Sequence, residues 1–267
     1  MRLRNFSTSA PVKLLTGVAS SSAPAPDMVA RVLDQISTRI FADGADLDGI
    51  LKLAADPRIA GFTTNPTLMW KAGLTDYAEF AQRLLERITE HPISFEVFAD
   101  DAQEMRRQAR IIASWGENVY VKIPVMTTAG VSMAPLVREL SEDGIKVNVT
   151  ALFTTAQVEL ITAAVKDGAP SYISVFAGRI ADAGVDPVPI MARAVDVMVQ
   201  APRSELIWAS PREILNLVQA DQIGCHIITI THDLLKKLDC LGKNLEQYSL
   251  ETVRMFHGDA AAAGFTL

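Results

Sequence analysis

Lys122 stands inside an otherwise apolar run, Val119-Tyr120-Val121-Lys122-Ile123-Pro124-Val125. Strand alternation puts Tyr120 and Lys122 on one face and Val119, Val121 and Ile123 on the other. If both faces of the strand are covered, the ammonium cannot easily avoid burial, and the usual response to burying an ammonium is a lowered pKa. A neutral amine is a nucleophile that forms Schiff bases with ketones. The alternative for a lysine so placed is to snorkel to a rim or to pair with an acid. Further polar residues recur near the ends of β-rich runs: Asp43 in Phe41-Ala42-Asp43-Gly44, Asn65 in Thr63-Thr64-Asn65-Pro66, Glu96 in Ser94-Phe95-Glu96-Val97 and Thr150 in Asn148-Val149-Thr150. Each alone is more often a helix cap, a turn former or a rim residue. Together they set two acids, an amide and a hydroxyl around a candidate lysine. A retro-aldol cleavage needs such parts: an amine, a base for the leaving hydroxyl and a water-mediated proton shuttle.

These residues need elements that bring them together. Short β-rich runs fall at Arg39–Asp43, Ala60–Thr64, Ile93–Phe98, Val119–Pro124, Lys146–Leu152, Tyr172–Phe176, Glu205–Ala209 and His226–Ile230. Between them lie segments with helical apolar spacing, such as Tyr77–Ile88 (Phe80, Leu84, Leu85, Ile88) and Ala156–Val165 (Val158, Ile161, Ala164, Val165). Strands alternating with helices predict a parallel sheet. Eight repeats in a chain of this length predict an α/β fold of the single (β/α)8 TIM-barrel type, whose strand C-terminal ends form the active face. An open doubly wound sheet is the alternative, but the Gly-x-Gly-x-x-Gly turn that would favour it is absent.

The chain has 267 residues, 49% of them hydrophobic and 21% charged, which is ample for one sizeable core. Its 25 basic and 31 acidic residues give a net charge of −6, which excludes a generally basic nucleic-acid binder. No stretch has the roughly 18 uncharged apolar residues of a membrane helix. Two cysteines, Cys225 and Cys240, cannot make a disulfide scaffold. Residues 1–26 carry +3 and no acid, leaving −9 for the rest. Residues 1–27, rich in Ser, Thr, Ala and Pro, read as a disordered tail or upstream segment, with an organelle-targeting peptide as the alternative. A cytoplasmic location is the default. Periodic sequence then runs through residues 28–267 as one barrel domain with a C-terminal helix over Glu246–Phe265. The four histidines, His91, His226, His232 and His257, form no clear metal spacing, and no metal or other cofactor is expected. His226, in an apolar run, reads as a satisfied structural residue.

Along this framework the chain resembles the transaldolase family, including its short fructose-6-phosphate aldolase-like branch. The resemblance rests on Ala42-Asp43-Gly44-Ala45-Asp46-Leu47, Gly61-Phe62-Thr63-Thr64-Asn65-Pro66-Thr67-Leu68, Val121-Lys122-Ile123-Pro124 and Val147-Asn148-Val149-Thr150-Ala151-Leu152-Phe153-Thr154. It continues through Ile173-Ser174-Val175-Phe176-Ala177-Gly178-Arg179-Ile180 and Ala209-Ser210-Pro211-Arg212, one ordered motif per strand for most strands. It implies a metal-free class I mechanism. Lys122 would form an iminium with the C2 carbonyl of a ketose, and Asp43 would take the C4 hydroxyl proton. Glu96 and Thr150 would hold a shuttle water, and Asn65 and Ser174 would bind hydroxyls of the dihydroxyacetone unit. Arg179, Ser210 and Arg212 match the phosphate-binding positions, where guanidinium forks suit a dianion. Ser210-Pro211-Arg212 also reads as the N-cap, N1 and first turn of a helix, whose N–H groups favour anions.

The expected activity is a Schiff-base transaldolase moving a dihydroxyacetone unit from a ketose phosphate to an aldose phosphate, as in the pentose phosphate pathway. A fructose-6-phosphate aldolase-like lyase is the alternative, and a silent sugar-phosphate-binding barrel a more distant one. The lyase branch typically has Gln at the position of Glu96 and Tyr at that of Phe176, and this chain has the transaldolase pair. Pro211 departs from an aromatic residue common there, which bears on the acceptor. The expected partners are sugar phosphates, with neither nucleic acid nor membrane. The resemblance also implies a homo-oligomer, since the short branch commonly forms pentamers or decamers, and a C-terminal helix that closes over the site or packs on a neighbour, with a frayed surface helix as the alternative.

Overall fold

The computed structural model describes residues 33–71, 73 and 75–267; the expected tail lies outside the described residues. Eight parallel strands close into a barrel in chain order. They are β1 (Arg39–Asp43), β2 (Ile59–Thr63), β3 (Ile93–Glu96), β4 (Val119–Pro124), β5 (Val147–Leu152), β6 (Ser171–Val175), β7 (Ser204–Trp208) and β8 (Ile227–Thr231). β1 pairs with both β2 and β8, so the sheet has no edge. The eight expected runs are these strands, with ends displaced by at most two residues. The chain is thus a TIM barrel.

Helices connect the strands: α1 (Leu47–Leu53), α2 (Pro66–Lys71), α3 (Tyr77–Leu85), α4 (Ala102–Ala113), α5 (Ala134–Glu142), α6 (Thr155–Val165), α7 (Ala177–Asp182), α8 (Pro187–Met198), α9 (Leu215–Gln222) and α10 (His232–Leu235). Their starts are written locally. Asp46, Asp76 and Asp101 each accept a backbone N–H at the N3 position, and Thr154 with Gln157 forms a capping box. The apolar stripe of α3 buries Phe80, Ala81 and Leu84. Residues 240–267 form a separate unit, in which α11 (Leu245–Ala262) is capped by Asn244 and buries none of its side chains.

Inside the barrel, alternation sets layers. Phe41, Tyr120, Tyr172, Ile207, Ala209 and Ile227 make a packed floor. The Tyr120 and Tyr172 rings stack at 4.0 Å, and Phe41 meets Tyr172 edge-on at 5.6 Å. A Cβ on Gly61 would come within 2.6 Å of the Phe41 ring, so glycine at that position lets the phenyl fill the floor. Two residues beyond Tyr120 and Tyr172, on the same strand faces, stand Lys122 and Ser174. The opposite faces carry Val121, Val149, Ile173 and Leu206, all fully buried. Burial of each such side chain contributes about 1.5–3 kcal/mol. His226 lies just ahead of β8, where its Nδ1 accepts the Leu206 N–H at 3.1 Å. It is a satisfied structural residue, and burial lowers its pKa.

One expectation is corrected here. Ser210-Pro211-Arg212 does not begin a helix: α9 starts at Leu215, and its N-cap position is Ile214. The backbone N–H groups of Arg212 and Glu213 are taken by Asn216 Oδ1, at 2.8 and 3.2 Å, instead of facing an anion. The cause is tertiary. Gly178 packs so closely that any Cβ there would overlap the Ser210 carbonyl oxygen. Ser210 adopts φ +61°, a conformation that L residues other than glycine take only when their surroundings hold them in it.

Candidate active site

The C-terminal ends of the strands open into a cavity of about 510 Å³, a volume suited to a small-molecule ligand. All ten residues expected at a site line it: Asp43, Asn65, Glu96, Lys122, Thr150, Ser174, Phe176, Arg179, Ser210 and Arg212. They come from β1 and β3 to β6, the segments that follow β2, β6 and β7, and, for Arg179, the start of α7, so the closed sheet is what brings them together.

Lys122 is 7% exposed, so it has not snorkelled to the rim. Its Nζ donates to the Thr64 carbonyl at 2.6 Å and to Glu96 Oε2 at 3.3 Å. Glu96 and Lys122 face each other directly in the β3–β4 register. The amine is therefore both buried and beside an acid. The Glu96 N–H donates to the Tyr77 hydroxyl at 2.5 Å, which fixes the end of β3 against α3. Burial among Phe95, Phe98 and Trp115 pushes the Tyr77 phenol pKa up.

Asp43 is held by two donors. Thr63 Oγ1 donates to its Oδ1 at 2.8 Å and Asn65 Nδ2 to its Oδ2 at 3.1 Å. Asn65 also accepts the Leu68 N–H at 2.9 Å, so one amide caps α2 and orients the carboxylate. Burial raises the Asp43 pKa, against the opposing pull of Lys122, Thr63, Asn65 and His232. A carboxylate with a raised pKa is a stronger base than an ordinary one. Ser174 Oγ donates to Asn148 Oδ1 at 2.7 Å, and Asn148 Nδ2 donates to Ser94 Oγ at 3.0 Å. Thr150 lies on the same wall, followed by Ala151 at φ +59°, where the β5–β6 register shifts.

The cations sit at the ends of β6 and β7. Arg179 stacks its guanidinium 5.7 Å over the Phe176 ring and has no carboxylate within ion-pair distance among the described residues. Arg212 forms a two-pronged pair with Asp182 and also donates to the Ser210 carbonyl and hydroxyl oxygens, each at 3.1 Å. Arg179 thus lines the cavity with no side-chain hydrogen bond among the described residues, while Arg212 shares its charge with Asp182. Sequence reasoning missed Thr63, Asn148 and Thr229 as cavity residues. For two of them the signal was there: Thr63 and Asn148 are polar residues two positions before Asn65 and Thr150, whereas no residue of β8 was singled out to point to Thr229.

Among the described residues no three His, Cys, Asp or Glu side chains cluster as a metal site would, and no helix is long and apolar enough to cross a membrane. Known structures share the barrel at low identity. Dihydrodipicolinate synthase from Rhodopseudomonas palustris superimposes with a TM-score of 0.56 at 16% identity, covering 84% of this chain and 79% of that one. The alpha subunit of tryptophan synthase from Campylobacter jejuni gives 0.52 at 12% identity, over 81% and 94%. Sequence relatives are more specific. A protein named "Probable transaldolase" in Dehalococcoides mccartyi is 36% identical over 201 residues, 75% of this chain and 89% of that protein. One of the same name in a Thermoanaerobacter species is 37% identical over 201 residues, 75% and 88%. The family model described as Transaldolase/Fructose-6-phosphate aldolase matches residues 40–267. A barrel with these motifs in order, such relatives and a family match over nearly the whole described chain lead to one conclusion: the protein belongs to the transaldolase/fructose-6-phosphate aldolase family.

Proposed function

We propose that this enzyme is a Schiff-base transaldolase, transferring a dihydroxyacetone unit from a ketose phosphate of the fructose 6-phosphate or sedoheptulose 7-phosphate type to an aldose phosphate. The observation that carries the reading is Lys122, buried at the base of a cavity with Asp43 and Glu96 on its walls and Arg179 near its mouth. In this reading Lys122 Nζ attacks the C2 carbonyl, and loss of water gives the iminium. Asp43 takes the C4 hydroxyl proton as the C3–C4 bond breaks. The electron pair of that bond enters the iminium, leaving an enamine on Lys122 and a free aldehyde. Addition to an acceptor aldehyde runs the same steps backwards. Glu96 and Thr150 hold the water that shuttles protons while the Schiff base forms and is released. Asn65 and Ser174 bind the hydroxyls, and Arg179, Ser210 and Arg212 the phosphate.

Transfer is favoured over lysis by the groups that could protonate the enamine. Phe176 supplies no proton, and no tyrosine lines the cavity among the described residues. The enamine then survives long enough to meet an acceptor. The reading extends to a homo-oligomer, supported by α11, which leaves Leu245, Val253 and Phe256 exposed.

Fructose 6-phosphate with and without erythrose 4-phosphate tests the reaction type. Transfer predicts turnover that depends on acceptor, with free dihydroxyacetone at least about 10-fold slower. Dihydroxyacetone released at a rate indifferent to acceptor would establish the lyase instead.

A further inference from the structure

Two threonines without a role in the proposed chemistry extend the hydrogen bonding of Asp43 along the cavity wall to β8. Thr63 Oγ1 lies 2.8 Å from Asp43 Oδ1 and 2.6 Å from Thr229 Oγ1. Both threonines are buried, yet both border the cavity, Thr63 at the end of β2 and Thr229 in β8. A hydroxyl has one proton to donate, and an ionised carboxylate can only accept. With Asp43 ionised, the Thr63 proton goes to Oδ1, so Thr229 must donate to Thr63. Thr229 then offers the cavity only lone pairs.

The other carboxylate oxygen has no such freedom. Asn65 Nδ2 cannot accept, and the amide cannot turn over because its Oδ1 is held by the Leu68 N–H. A proton arriving on Asp43 is therefore best accommodated at Oδ1, where Thr63 can change from donor to acceptor. Thr63 then donates to Thr229, and the Thr229 O–H turns to the cavity. No covalent bond in either threonine changes; only the O–H directions reverse.

We infer that Thr229 is a positioning residue for the reaction, which through Thr63 keeps Asp43 hydrogen-bonded in both of its protonation states. It presents an acceptor to the cavity while Asp43 is ionised and a donor once Asp43 holds the proton from the cleaved hydroxyl, when an aldehyde carbonyl is present to receive it. The inference rests on Asp43 as the base. The titratable groups facing Asp43 are Lys122 from β4 and His232 from α10, and a substitution at Thr229 replaces neither.

The pH profile of kcat/KM in the full chain, with fructose 6-phosphate and erythrose 4-phosphate, tests it. Thr229→Val keeps the side-chain shape and removes the hydroxyl. Its acid limb should move down by roughly half to one pH unit, because only protonated Asp43 needs Thr229 to take the Thr63 proton, with kcat lowered about 3- to 10-fold. Thr229→Ser should restore both, which a purely structural role would not explain. If melting curves show that the valine variant does not fold, Thr229→Ala carries the same expectation. A folded variant lacking the hydroxyl but keeping the wild-type acid limb overturns the inference. Asp43→Asn separates the two levels. Full activity in that variant removes Asp43 as the base and the relay with it. An inactive Asp43→Asn beside an unshifted Thr229→Val removes the relay alone.

Discussion

At the scale of single residues, the site is a contest between burial and compensation. Asp43 is half-buried on the cavity wall, and its two donors and the nearby Lys122 do not offset the loss of water, so its pKa stays above the ordinary carboxylate value. The sign has a kinetic consequence. The base must be ionised, so kcat/KM should rise with pH through a pKa above about 4 and fall as pH drops below it. Thr63→Val removes one donor to the ionised form and should carry that limb still higher, a shift readable in a pH–rate profile. An acid limb at or below the ordinary carboxylate value would contradict the role given to burial. The identity of Asp43, Glu96 and Lys122 as a candidate set was legible because each is a charge in an apolar strand. The Thr63–Thr229 contact was not, because a threonine in a β-rich run is equally at home as a strand former.

At the scale of elements, the strands were legible because burial on both faces leaves β-branched runs with few interruptions, and period-2 alternation then sorts Tyr120 and Lys122 from Val121 and Ile123. The turn after β7 was misread for a physical reason. Ser-Pro-x-x carries a local helix-start signal, but the close approach of Gly178 to the Ser210 carbonyl, and the pull of Asp182 on Arg212, set the backbone there. Neither contact is local in sequence. Non-glycine residues at positive φ, Ala151 and Ser210, likewise leave no mark in the sequence. Gly178→Ala tests this account of the turn. The added methyl cannot fit without moving Ser210 and Arg212, so the variant should lose about 2 kcal/mol or more in denaturant unfolding. The variant should also raise KM for fructose 6-phosphate more than for unphosphorylated fructose. Wild-type stability together with wild-type KM values would contradict it.

At the scale of the whole molecule, a closed sheet converts residues more than a hundred positions apart into one cavity, and an acidic protein of net charge −6 gathers Arg179 and Arg212 at the mouth of that cavity. The α11 helix buries no side chain and leaves Val253 and Phe256 in the open, and the proposed homo-oligomer would cover that face with a second copy. Sedimentation should give a mass several times 29.0 kDa. Phe256→Glu should lower that mass and leave the melting of the barrel within a few degrees, roughly 1 kcal/mol. A wild-type chain sedimenting as a monomer would remove this interface. The reaction, and the roles given to Asp43 and Thr229 in it, depend on the covalent role of Lys122. The full chain, incubated with fructose 6-phosphate and reduced with borohydride, should give a digest in which the Lys122 peptide alone carries the reduced ketose or dihydroxyacetone adduct, and Lys122→Met should give none. An active enzyme with no adduct on Lys122, or with the adduct on another lysine, would contradict the account.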